Sequence, residues 1–434
     1  MPRKYLKHFA ALMLACLVVS SFIVYFTNNA RAAVVTWDGG GSDGTCGGVA
    51  GDGNKWSCGL NWSGDVAPGA SDIATFNGTS TKNATIDSGI NVLGIDINTG
   101  YTGIITQASG VTITVGTSDF DISAGTFTGG DSTIDINDAF TVSGGTFTST
   151  TGNMQVAGAF TVSSGSFEPS TGTVIADTST STWDVVTTET FNNFTVNRSS
   201  TLVISSGDTI VVAGTLTLTN GSVATGTIDA RSTINQDNTF DGGNAMLDFG
   251  DNAVAQTYTI NGGITPNVRL DNSSDANDTI VLGANATFTS LTTTAAFSGS
   301  IPLTNAGNFT PTFTLWSQAA GTYDASAQSA WNIIGMTVSG GTFTAPTLVT
   351  ASGSSGTYDL NSSQTFNQFT VNRTSALSFG ANDTLVVTGA LILTDGSLTV
   401  ASAQIDARSS ITQASTFDGG AAYIDFGDNG VAQT

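Results

Sequence analysis

The chain has very few of the side chains on which most enzymes depend. Of its 434 residues one is His, His8, and two are Glu, Glu168 and Glu189. His8 lies in a basic and apolar N-terminal stretch that reads as an export signal, so the rest of the chain has no His for Ser-His-Asp or Cys-His catalysis. Only Cys16, Cys46 and Cys58 carry thiols.

Positive charge is also scarce. Eleven Lys and Arg residues face 33 Asp and Glu, for a net charge of −22, and only 10% of residues are charged. A surface this acidic repels phosphate backbones, so we expect no nucleic-acid partner. Hydrophobic residues still make up 39%, enough for a buried core. They are mainly Val, Ile and Phe, which favours strands.

Residues 1–32 have the pattern of a secretory signal peptide. A basic start is followed by the apolar run AALMLACLVVSSFIVYF and by Ala30-Arg31-Ala32, a small-residue cleavage site. The apolar run is long for a signal peptide, so it is either cleaved or retained as an N-terminal anchor. Membrane association is expected only if it is retained. Either way the sequence predicts an extracellular or cell-surface protein.

A period of twenty residues organises the middle of the chain. FTVSGGTFTSTTGNMQVAGA at 140–159 returns as FTVSSGSFEPSTGTVIADTS at 160–179. Apolar residues come in i, i+2 pairs, which is strand alternation, and Gly and Ser corners separate the pairs. Such a unit buries its apolar face only against its neighbours. We therefore predict an all-β, parallel, right-handed β-helix with three-strand rungs of about 20 residues, ~20 rungs in all.

A second repeat is longer. TFNNFTVNRSS at 190–200 returns as TFNQFTVNRTS at 365–375, and TFDGGNAMLDFGDNAVAQT at 239–257 returns as TFDGGAAYIDFGDNGVAQT at 416–434. These matches define a long repeat block, at about 161–336 and again, cut short, at 337–434. We expect a fragment of a longer repeat protein. The predicted domains are an N-terminal cap with the first coils at 33–110 and a β-helix shaft at 111–434.

The segment before the shaft differs from the repeats. It contains VVTWDGGG and then NWSGDVAPGASD, and its two cysteines, Cys46 and Cys58, are predicted to form a disulfide. Over residues 34–90 it resembles the start of bacterial secreted β-helix proteins of the autotransporter and adhesin-like kind. That resemblance implies an exported β-helix but no particular ligand. Trp37, Trp56 and Trp62 suit either the core of a cap or a glycan-stacking platform.

Acidic and basic residues recur with the long repeat. No cofactor is expected, but Asp-rich turns can supply the oxygens that Ca²⁺ needs. The weak calcium candidates, which otherwise are solvated corners, are Asp241, Asp248, Asp251, Asp418, Asp425 and Asp428. The repeated arginines, each expected to pair with an Asp such as Asp229 or Asp406, are Arg198, Arg231, Arg373 and Arg408.

Two functions fit this sequence. The first is a structural or adhesin-like protein, not an enzyme, whose acidic Thr/Ser-rich shaft attaches to a host or neighbouring cell surface, a polysaccharide or other surface proteins. The second is a polysaccharide lyase or hydrolase that uses Asp carboxylates. The acids recur with the repeat and the loops are short, which favours the first. No catalytic residue is assigned.

Overall fold

In the residues that it describes, the structure, a computed structural model, is an all-β parallel β-solenoid of about 16 turns with almost no helix. It describes residues 32–46, 52–178, 180–249, 255–270, 278–294, 297, 303–305, 308–399 and 402–426. The predicted fold class is therefore confirmed. Almost all of the predicted export signal, residues 1–31, lies outside the described residues.

The cap and first turns hold two short 3-10 helices, Asp52–Asn54 and Gly59–Asn61. Their strands are β1 Ala33–Thr36, β2 Asp72–Phe76, β3 Ala84–Ile86, β4 Ile90–Val92, β5 Gly94–Ile97, β6 Ile104–Gln107 and β7 Ile113–Val115. The twenty-residue repeats then form β8 Phe120–Ile122, β9 Thr126–Thr128, β10 Ile134–Ile136, β11 Phe140–Val142, β12 Thr146–Thr148, β13 Asn153–Val156, β14 Phe160–Val162, β15 Ser166–Glu168, β16 Thr173–Thr178, β17 Ser181–Val185 and β18 Thr188–Phe191.

The long repeat begins at about residue 161, so its first copy includes β14 to β18 as well as the strands that follow. Its first copy contains β19 Asn193–Ile204, β20 Thr209–Val212, β21 Leu216–Val223, β22 Thr227–Ala230, β23 Thr233–Phe240, β24 Met246–Phe249, β25 Thr257–Ile260, β26 Ile264–Leu270, β27 Thr279–Leu282, β28 Thr287–Thr293 and β29 Leu303–Asn305. There follow β30 Thr312–Gln318, β31 Thr322–Asp324, β32 Ala330–Val338, β33 Thr342–Thr344, β34 Leu348–Ala351, β35 Thr357–Asp359, β36 Ser363–Phe366, β37 Gln368–Phe379, β38 Thr384–Val387, β39 Leu391–Leu398, β40 Gln404–Ala407, β41 Ile411–Gln413, β42 Phe417–Gly420 and β43 Tyr423–Phe426.

The twenty-residue repeats stack in register. Phe140 pairs with Phe120 and Phe160, and Phe147 pairs with Phe127 and Phe167, all in parallel ladders. A third ladder joins β10, β13 and β16. Along each strand buried and half-buried residues alternate. This alternation places the apolar columns inside the coil, as the sequence predicts.

Phenylalanine rings fill the interior of these turns. Phe127 and Phe147 stack with centroids 4.8 Å apart, and Phe140 meets Phe147 edge to face at 4.7 Å. Each such pair contributes about 0.5–1.5 kcal/mol beyond burial of its area. Like-on-like ladders therefore give these turns a continuous aromatic core, and each rung is stable only against its neighbours.

The rungs of the long repeat are built differently. β19 and β37 are single strands of 12 residues that run through a corner without a break. β19 pairs with β16 through its first half and with β17 through its second. The three-strand rung predicted for the whole shaft thus does not describe this part. Here two ladders merge into one strand with a register shift at the corner.

The two copies of the long repeat have the same structure. β19 and β37 show the same order of buried and exposed positions, as do β20 with β38 and β21 with β39. The copies differ at the last described strand. Phe249 in β24 is buried under β26, whereas its counterpart Phe426 in β43 is 63% exposed.

Turn length explains why the number of turns is below the predicted ~20. The first turn is long because the whole cap lies within it, between Ala33 and its ladder partner Asp72. Later turns differ in length, since Leu216 pairs with Ile234 across a short turn and Leu291 pairs with Trp316 across a longer one. The handedness predicted from the sequence stays a prediction.

Candidate functional site

The three tryptophans of the cap are buried. Trp37 and Trp62 are 0% exposed and Trp56 is 2% exposed. Trp62 lies edge to face against Trp56 at 4.6 Å and against Trp37 at 5.1 Å, and all three rings pack on Phe76 of β2. The glycan-stacking hypothesis for these rings is wrong, because no ring face is open to a sugar. They seal the first turn instead.

A disulfide and a polar network hold the cap together. Cys46 and Cys58 form the predicted pair, with Cα atoms 5.2 Å apart. The buried Asn61 amide donates to the carbonyl oxygens of Gly53 and Lys55, each at 3.0 Å. Lys82 Nζ donates to the Asn61 side-chain oxygen at 3.3 Å. These contacts place a rare cation and a buried amide in structural roles.

The weak calcium candidates have different surroundings and do not share contacts. Asp248 is buried and its carboxylate accepts from Arg269, with Nε to Oδ1 at 3.1 Å. Asp425 accepts from the Gln404 side chain at 3.2 Å, and Asp241 and Asp418 are exposed. Asp251 and Asp428 lie outside the described residues. Among the residues that the structure describes, no three His, Cys, Asp or Glu side chains are grouped to hold a metal ion.

Two of the repeated arginines pair as predicted. Arg231 donates to Asp229 at 2.8 Å, and Arg408 donates to Asp406 at 2.6 Å. Both guanidinium groups are about half exposed, so solvent screens each pair and it adds little to stability. The hydrogen bonds to Asp406 raise the pKa of Arg408. These pairs are surface features of the two copies.

The other two arginines are buried. Arg198 and Arg373 are each 1% exposed. Each follows the inward alternation of its strand, in β19 and β37. Arg198 donates to the Ser181 hydroxyl at 2.9 Å and Arg373 to the Ile334 carbonyl at 3.0 Å. Neither makes a hydrogen bond to an Asp among the described residues, so the predicted direct Asp pair is absent for both. Burial lowers the pKa of Arg198, and the Asp177 carboxylate on the neighbouring turn opposes that shift.

One outward face carries a column of carboxylates and hydroxyls. Asp96 of β5 is in register with Asp121 of β8, which is followed by Thr141 and Thr161. Partial burial, together with the neighbouring carboxylates, raises the pKa of Asp96. Burial also raises the pKa of Asp121, while the Thr141 hydroxyl bond opposes that shift. The column is a polar stripe that follows the axis of the solenoid.

A second outward face carries aligned threonines. Thr126 and Thr128 of β9 lie in register with Thr146 and Thr148 of β12. All four are half-buried, and the Phe between each pair points inward. Adjacent strands lie about 4.8 Å apart and alternate residues about 6.8 Å apart along a strand. The face is thus a small lattice of methyl and hydroxyl groups.

The only two glutamates of the chain lie on successive turns. Glu189 is in register with the buried Ile210. Burial raises the pKa of Glu189 to about 7, the hydrogen bond from the Thr190 N–H opposes this, and the Glu168 carboxylate adds to it. Sequence reasoning missed Glu189. The available signal was its counterpart Gln364, which shows that this position of the repeat favours an uncharged polar side chain.

Comparisons with known proteins add no family to this picture. The chain matches no family model, no curated protein and no solved structure. No helix in the described part of the chain is long and apolar enough to cross a membrane. The interpretation of function therefore rests on the outward faces themselves.

Proposed function

We propose that this protein is an exported structural or adhesin-like repeat protein of the autotransporter-like kind. Its shaft binds a cell surface, a polysaccharide or other surface proteins through many weak contacts. It acts outside the cell, by binding and not by catalysis.

The observation that carries this proposal is the register of the outward side chains. Thr146 lies over Thr126, and Thr161 over Thr141, so one turn presents nearly the same groups as the next. A ligand that is itself repetitive can then meet several equivalent sites at once. Linked weak contacts raise the overall affinity about 10²–10⁴-fold without any strong single contact.

The distribution of carboxylates also favours binding over catalysis. A glycoside hydrolase needs two carboxyl groups at a defined separation on either side of one bond. Asp96 and Asp121 instead belong to a column that continues as Thr141 and Thr161. The column repeats one kind of polar contact along the shaft.

A polysaccharide array tests this function. The full chain is applied to immobilised neutral and acidic polysaccharides, with and without Ca²⁺, and bound protein is measured. We expect retention on at least one polysaccharide. The double variant Thr126→Glu and Thr146→Glu should lose at least half of the bound protein, because carboxylates replace the hydroxyl groups of the aligned-threonine face.

The matched control is Thr259→Glu. Thr259 is also half-buried and outward, but it lies in another ladder, so binding should remain. A parallel assay measures reducing ends released from each polysaccharide. Release that disappears in an Asp121→Asn variant would show that the chain is an enzyme and that the binding proposal is wrong.

A further inference from the structure

The two copies of the long repeat each bury one arginine at the same corner. Arg198 and Arg373 occur in NFTVNR and QFTVNR, and both are 1% exposed. Both strands keep their inward alternation up to the arginine and then turn the corner. The guanidinium groups therefore lie inside the coil, among apolar columns, in a chain that has only 11 Lys and Arg.

Most of the N–H groups of these guanidiniums have no acceptor. Arg373 donates through Nη1 to the Ile334 carbonyl, while Nε and Nη2 are buried without a hydrogen-bond partner among the described residues. Arg198 donates through Nη2 to Ser181, and in the same described set its Nε and Nη1 are buried and unpartnered. A buried charge without acceptors is strongly unfavourable, so each corner favours a bound acceptor.

The surroundings of Arg373 restrict what that acceptor is. A Cβ at Gly356 would clash with the Ile334 carbonyl oxygen and lie 3.0 Å from Nη2, so only glycine lets this corner pass so close to the guanidinium. The Ile333 carbonyl already accepts from the Tyr358 hydroxyl at 3.0 Å. The corner at 352–356 reads SGSSG and contains no carboxylate. A buried cation with unpartnered N–H groups and no carboxylate in its corner favours an anion as the acceptor.

We propose that the corners at Arg198 and Arg373 are two corresponding binding sites for a small monovalent anion of the size of chloride. The anion accepts from Nε and from the free terminal nitrogen of each guanidinium. At Arg373 it neutralises the buried charge. At Arg198, where the Asp177 carboxylate already acts on the guanidinium, it supplies the acceptor that the unpartnered N–H groups lack. This inference is independent of the binding function proposed above.

Bromide is the direct probe, because its anomalous scattering identifies it. Crystals of the full chain are soaked in sodium bromide, and anomalous difference maps are calculated. We expect one peak within hydrogen-bond distance of each buried guanidinium, and none at the exposed Arg231 and Arg408, which already bind Asp229 and Asp406. A map with no bromide at either corner would overturn the proposal.

A thermal melting experiment in solution compares the same two pairs of arginines, the buried pair and the exposed pair. At equal ionic strength, chloride should raise the Tm above its value in gluconate, an anion too large for the corner, by about 2 °C or more. The double variant Arg198→Met and Arg373→Met should lose this difference. The control pair Arg231→Met and Arg408→Met should keep it.

Equal Tm values in chloride and gluconate for the unmodified chain would contradict the proposal. So would a chloride effect that survives in the Arg198→Met and Arg373→Met variant. If that variant does not fold, the bromide map of the unmodified chain decides alone.

Discussion

A single inward phenylalanine shows how much each rung depends on its neighbours. Phe147 is fully buried and contacts the rings of Phe120, Phe127, Phe140 and Phe167. These rings belong to three successive turns. Removing one ring thus leaves a cavity shared by several rungs, which the shaft cannot close by moving one strand.

We predict that Phe147→Ala lowers the free energy of unfolding by about 3–5 kcal/mol, because it removes buried area and leaves a cavity. Urea denaturation followed by tryptophan fluorescence measures the loss. The control is Thr161→Ala, an outward position on the next turn, which should change stability by about 0.5 kcal/mol or less. Equal losses in the two variants would show that Phe147 is not a core residue.

Glu189 makes stability depend on pH. Its pKa is about 7 in the folded chain, above the usual value of 4.5. Between these values the folded state binds the proton and the unfolded state does not, so stability falls as pH rises from about 4.5 to about 7. We predict that Glu189→Gln removes this part of the decline and stabilises the chain at pH 8.

Thermal melts at pH 5 and pH 8 measure that effect. The second copy supplies the reciprocal variant, since Gln364 is the counterpart of Glu189. Gln364→Glu should steepen the decline between the two pH values. A pH profile that neither variant changes would mean that Glu189 titrates normally.

At the scale of the element, the corner in each of the long strands β19 and β37 requires a glycine on the next turn of the solenoid. Gly396 has φ +90°, and a Cβ there would lie 2.6 Å from the Ser375 carbonyl oxygen. Gly221 takes the same position over Arg198 in the first copy. Glycine therefore lets one turn pass close over the corner that holds the buried arginine.

We predict that Gly396→Ala destabilises the chain by more than Gly207→Ala. Gly207 has φ +94° but nothing within 4 Å of its added Cβ, so it carries only the cost of the positive φ, about 1 kcal/mol. The excess for Gly396 measures the steric clash. If urea denaturation gives the same loss for both, the close approach at the corner is absent.

The strands of the twenty-residue repeats could be predicted from the sequence because their spacing is constant. Phe140, Val142 and Phe147 all lie inside, as the columns require. The merged strands of the long repeat could not be predicted in this way. At their corner, Arg198 is a polar residue that points inward where the alternation otherwise places apolar residues. The lengths of the turns in this part also vary from rung to rung.

The candidate site was harder to predict than the fold. Trp37 and Trp62 are of the residue type that stacks on sugars, and only their packing on Phe76 shows that they belong to the core. The pKa of Glu189 depends on burial against another turn. The spacing of residues in the sequence shows neither the burial of these rings nor the pKa of Glu189, because each depends on how separate rungs pack.

At the scale of the whole molecule, the solenoid turns a short sequence pattern into an extended repeated surface. About 16 turns stack in parallel, and the outward residues of paired strands stay in register. Function then depends on how many equivalent contacts a partner can occupy. The central claim is that the shaft binds by multivalency.

Biosensor binding at several ligand densities tests that claim most directly. The full chain is passed over surfaces that carry a bound polysaccharide at low and high density, with a short oligosaccharide of the same sugar as competitor. The account predicts an apparent affinity that rises at least about tenfold with density and a weak competitor. One Kd at every density, matched by the free oligosaccharide, would contradict it.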